Sequence, residues 1–146
     1  MSRKLILLAA CGALGIGGCE TVNEVGDASE FVAQLSGASE VPPADPDGAG
    51  RAEMSFNDTS NTFCTDLEVR QISPATAAHV HRGAAGVNGP VVIPIDTPDD
   101  DDSDDCRVID DALGDEITNN PGGFYVNVHT ADYPDGAIRG QLRRQD

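Results

Sequence analysis

Tryptophan is absent from the chain, and four Phe and two Tyr are its only aromatics. A core must therefore rely on Val, Ile, Leu and Ala. Lysine is nearly as scarce: Lys4 is the only one. Nine basic residues face 25 acidic ones, for a formal net charge of −16. Such a surface repels nucleic acid and anionic lipid headgroups, so charge argues against both as partners. It suits solubility, cations or a saline habitat. No apolar run is long enough to span a bilayer as a helix, which needs roughly 20 residues; Leu5–Ile16 offers about a dozen. Catalytic signatures are missing as well. There is no Gly-x-Ser-x-Gly elbow, no paired-cysteine zinc motif and no phosphate loop. Gly83–Gly89 lacks a following Lys-Ser/Thr and reads as turns. No residue is assigned a catalytic role.

What the N-terminus does contain is informative. Arg3 and Lys4 precede the apolar stretch, which has the length of a signal-peptide core. Ile16-Gly17-Gly18-Cys19 then resembles the lipobox of bacterial lipoproteins. The resemblance implies removal of residues 1–18, lipidation of Cys19, and a membrane held through that anchor. Glu20, rather than Asp, follows the cysteine, which favours the outer membrane of the cell envelope, facing the periplasm or the surface. Residues 19–29 are polar and without periodicity, and read as a lipidated tether. Loss of Arg3 and Lys4 takes the charge from −16 to −18. Cys64 and Cys106 remain besides Cys19, 42 positions apart. In an oxidising compartment they are expected to form a disulfide; two free thiols or a metal pair are the alternatives.

From residue 30 to 146 the pattern is one domain of short strands. Phe31, Ala33 and Leu35 share one face of an alternating segment, as do Ala52, Met54 and Phe56, and then Phe63, Thr65, Leu67 and Val69. Further strands are expected at Ala77–His81, Val91–Ile95, Phe124–His129 and Ala137–Leu142, with one short helix over Asp110–Thr118. The fold class is all-β, an antiparallel barrel or sandwich. Pro98–Asp105 holds six aspartates in eight positions and reads as a solvated, self-repelling loop. Calcium is the sharper alternative. Counted from Asp99, however, an EF-hand would need Gly and Glu where Asp104 and Asp110 stand.

Three segments, in order, resemble the CHRD (chordin-type) domain family. They are Phe31–Gly37 with Glu40-Val41-Pro42-Pro43, then Ala78–Gly83 with Gly86–Val92, then Asn120–Thr130 with Gly136–Leu142. The resemblance implies an immunoglobulin-like β-barrel. A tethered single β-domain without a catalytic set is expected to be an extracytoplasmic, non-enzymatic binding module. Its partner would be an envelope or extracellular protein, and a monomer is expected. The cysteine pair and the aspartate run are departures from that pattern.

All three histidines fall inside these segments. His79 and His81 leave the same face of their strand, about 7 Å apart at Cβ. His129 also lies on the face opposite to Phe124, Val126 and Val128. His-Val-His, the later Val-His and the closing Gly-Ala-Ile-Arg-Gly further resemble the copper-site segments of Cu/Zn superoxide dismutase. That resemblance implies His79, His81 and His129 as ligands of copper or zinc, and Arg139 as an anion-attracting group. No fourth histidine exists, so the bridging ligand and the histidine-rich zinc site of that family are missing. Three function classes follow: a binding module, a copper- or zinc-binding protein, and a dismutase-type redox enzyme.

Overall fold

Nine strands and one α-helix form in the computed structural model, which describes residues 28–145. The signal peptide expected at residues 1–18, the lipidation expected at Cys19 and the expected tether as far as residue 27 lie outside the described residues. The strands are β1 (Ala28–Ser36), β2 (Ala49–Asn57), β3 (Thr62–Arg70), β4 (Ala75–Arg82), β5 (Val91–Ile95), β6 (Asp102–Val108), β7 (Phe124–Thr130), β8 (Ile138–Gln141) and β9 (Arg143–Arg144). The helix, α1, covers Asp111–Asn119. Every pairing is antiparallel, in the order β5-β4-β7-β8-β1-β2-β3-β6, with β9 also on β1. The sheet curls into a nearly closed, barrel-like wall.

Register keeps one face apolar around that wall. Phe31 pairs with Met54 and Ala33 with Ala52, while Phe56 pairs with Phe63 and Ala52 with Leu67. Val80 in turn opposes both Ile93 and Val126. All of these are buried in one hydrophobic cluster. A one-residue slip of any strand would turn its apolar set into water. The helix starts where Asp110 accepts the Ala112 N–H at 3.0 Å, with Asp111 favourably placed in the first turn. Its Ile117 is buried, and Gly114 lies so close to Phe56 that a Cβ there would sit 2.0 Å from the ring.

Two expectations change. Ala28 and Ser29, expected to be part of a tether, instead pair with Asn57 and Phe56 as the start of β1. The aspartate run is only partly a loop. Asp100 and Asp101 form a tight turn, both with positive φ (50° and 77°), and Asp99 bridges Asp102. Asp102–Asp105 then belong to strand β6, laid along β3. Aspartate has little strand propensity, but β6 is an edge on which Asp102 and Asp104 stay in water, while the mostly covered Asp105 pairs with Arg107. Charge on an edge also discourages pairing with another chain. The cost is repulsion. Asp104 lies opposite Asp66, and Asp102 opposite Glu68. The Asp66 carboxyl is accordingly held above its ordinary value of 3.8, by burial first and then by Asp104 and Glu68. Cys64 and Cys106 stand directly opposed in this ladder and form the expected disulfide.

Candidate metal centre

The outer face of β4, β7 and β8 carries the polar residues of the second and third sequence motifs. Alternation that sends Ala78, Val80, Val126 and Val128 inward sends His79, His81, Tyr125, Asn127 and His129 outward. Pairing then brings them side by side, with Ala77 opposite His129, His79 opposite Asn127, and His81 opposite Tyr125. A register shift between Val80 and His81 adds a bulge beside the cluster, where bulges commonly re-aim a side chain.

The three imidazoles converge. Each offers a ring nitrogen, and the three nitrogens lie within 4.8 Å of one another. Among the described residues, no other group of His, Cys, Asp or Glu is so disposed toward an ion. Ring centroids are 5.6 Å apart for His79–His81, 5.2 Å for His79–His129 and 6.3 Å for His81–His129.

Backbone carbonyls fix the tautomers. His81 Nδ1 lies 2.8 Å from Gly89 O, and His129 Nδ1 lies 3.0 Å from Pro134 O. A carbonyl only accepts, so each Nδ1 carries the proton and each Nε2 keeps its lone pair. His79 Nδ1 approaches His129 Nε2 at 3.3 Å. His81 Nε2 is buried and has no hydrogen-bond partner among the described residues, an unusual state for a buried polar atom. Ligating histidines characteristically use the second ring nitrogen in this way, donating it to a carbonyl. Burial pushes the His79 imidazole below its ordinary 6.5, and His129 and His81 add to the shift. Burial also pushes His81 down, against the opposing pull of the Gly89 hydrogen bond. Both rings therefore favour the neutral, metal-competent form. Three neutral nitrogens suit copper or zinc, and the set leaves further coordination positions to a small exogenous ligand.

A family model described as the CHRD domain matches residues 31–142. The chain belongs to the CHRD domain family. No curated protein and no solved structure gives a match. The match spans β1 to β8, so all three histidines lie within the CHRD domain proper.

Behind the histidines the CHRD domain buries an ion pair. Arg139 is 4 % exposed, and its Nη2 lies 3.0 Å from Glu40 Oε2. The same guanidinium donates to Val87 O and Asn88 Oδ1 and lies 4.0 Å over the Tyr125 ring. Asn127 Nδ2 donates to Glu40 Oε1 at 2.9 Å. The anion-attracting role expected of Arg139 requires a guanidinium open to solvent, and this one is enclosed. Its work is to tie β8 to the loops carrying Glu40 and Asn88. Glu40, Tyr125, Asn127 and Gly89 received no role from the sequence. The one signal available was their position inside the family motifs, which says nothing of which side chains meet.

Proposed function

We propose that this CHRD domain is a binding module for a single copper or zinc ion, held by His79, His81 and His129. The observation that carries the reading is the convergence of two carbonyl-oriented Nε2 lone pairs with a third imidazole. The ion would supply a positive centre with an open position, and the protein supplies neutral nitrogens that are already oriented. The strongly acidic chain outside the site raises the local concentration of cations. A dismutase-type activity receives no support from Arg139, which is enclosed, nor from the histidine count, which stops at three.

Calorimetric titration with copper(II) or zinc is expected to give one tight site per chain. His129→Ala should weaken it at least a hundredfold with the fold intact by circular dichroism. Weak binding by the unsubstituted protein, or tight binding that survives His129→Ala, would refute the reading. Protons compete for the same lone pairs. Because His79 and His81 titrate below 6.5, affinity should hold to a lower pH than for free imidazole and then fall steeply. The same depressed values make the folded chain bind fewer protons than the unfolded one. Stability is then full above about 6.5 and declines as pH falls from there through the folded values.

We further propose that the domain works outside the cytoplasmic membrane, tethered by lipid on Cys19, in the cell envelope. Support comes from the Ile16–Cys19 lipobox pattern and from a disulfide that an oxidising compartment sustains. Intact mass of the protein extracted from its native membrane should show residues 1–18 absent and acyl chains on residue 19. Cys19→Ser should release it. An unacylated mature chain would contradict the anchor.

A further inference from the structure

Tyr125 is fully buried beside the histidines, at 1 % exposure. It lies on β7, the strand between β4 and β8 in the sheet. From β4 the His81 ring stacks on it, 4.9 Å between centroids and 9° from parallel. From β8 the Arg139 guanidinium lies against it at 4.0 Å. Its hydroxyl oxygen accepts the Gly89 N–H at 3.1 Å. Gly89 in turn offers the carbonyl that takes the His81 Nδ1–H at 2.8 Å. The loop can reach this position only because residue 89 is glycine: a Cβ there would sit 1.7 Å from Arg82 O. Gly83, at the other end of the loop, packs its backbone near the Tyr125 ring, with 3.1 Å from an added Cβ to Cε1.

We infer that Tyr125 is a positioning residue for His81. It sets the plane of the imidazole by stacking and sets its tautomer through the Gly89 carbonyl. The inference rests on the metal-binding reading for its functional meaning, but the tautomer itself is a property of the protein without added metal. Arg139 holds the other face of the ring, which explains why a buried guanidinium stands beside a cationic ligand site without touching the ligands. Asn88 anchors the same loop from the far side, donating to Val41 O at 2.9 Å and accepting from Arg139 at 2.6 Å. The Tyr125 hydroxyl is the contact that bears on Gly89 itself.

Tyr125→Phe keeps the ring, the stack and the burial and removes only the acceptor. Long-range nitrogen–proton NMR on the purified protein without added metal reads the His81 tautomer directly. The unsubstituted protein should show the proton on Nδ1 and a Gly89 amide protected from exchange. In Tyr125→Phe the Gly89 amide should lose protection and the Nε2–H tautomer of His81 should appear. Zinc affinity should fall tenfold or more, within the range expected when a partner of a ligating histidine is lost. Tyr125→Leu, which also removes the stack, should lose more. An unchanged tautomer and unchanged Gly89 protection in a folded Tyr125→Phe would overturn the inference, whatever the metal result. Correct NMR behaviour with no zinc binding in the unsubstituted protein would leave the positioning intact and refute the metal reading alone.

Discussion

Glu40→Ala is expected to destabilise the domain by about 3–5 kcal/mol, the range for removing one partner of a buried ion pair. Glu40 is 5 % exposed, and its carboxylate is shared between Arg139 and Asn127. Without it the Arg139 charge stays enclosed, with only the Val87 carbonyl and the Asn88 side chain as acceptors. Arg139 Nε already lacks a partner. Thermal unfolding should therefore move down by roughly 10–20 °C for a domain of this size. Arg139→Met placed on Glu40→Ala should recover part of the loss, because no uncompensated charge would then remain. A Glu40→Ala protein within about 1 kcal/mol of the unsubstituted one would show that Glu40 is not what compensates Arg139.

Reducing the Cys64–Cys106 disulfide, or replacing both cysteines with serine, is expected to cost about 4 kcal/mol on the chain-entropy model for a loop of 42 residues. The loss should be local before it is global. β6 is an edge strand paired only to β3, and two of its aspartates face acidic residues across the ladder. Like charges directly opposite weaken a strand pair. Arg107 offsets this in part through its ion pairs to Asp105 and Asp96. After reduction, amides of β6 and of the facing side of β3 should exchange first. Added salt should narrow the difference between reduced and oxidised protein, because it screens the repulsion between exposed carboxylates. Equal denaturant midpoints with and without reductant would refute the assignment of the disulfide as the clasp of this edge.

Much of the fold was legible in residue parity. Seven strands announce themselves by alternation because one of their faces must be apolar, and the short helix expected over Asp110–Thr118 forms at Asp111–Asn119. β6 was not legible. Its residues are poor strand formers, and what aligns them is a partner strand and a cysteine distant in sequence. The histidines show the same division. Parity on β4 and β7 puts them on the outer face, but their convergence depends on those two strands being neighbours in the sheet. The Glu40–Arg139 pair was out of reach, since its members come from opposite ends of the domain. Tyr125 and Asn127 point away from the barrel core yet are each 1 % exposed. The loops bearing Glu40 and Gly89 contact them there. Loop cover is invisible to periodicity, and it is what converts three outward histidines into an oriented set.

Under the proposed function, one ion would sit among His79, His81 and His129. X-ray absorption at the zinc or copper edge, on protein loaded with one equivalent, examines this most directly. The expected spectrum has an imidazole-dominated shell at about 2.0 Å with the outer-shell scattering of rigid histidine rings. That scattering should be lost in His81→Ala. A shell of carboxylate oxygens alone, unchanged by His81→Ala and abolished by neutralising the aspartates of residues 99–105, would place the ion on the acidic edge and contradict it.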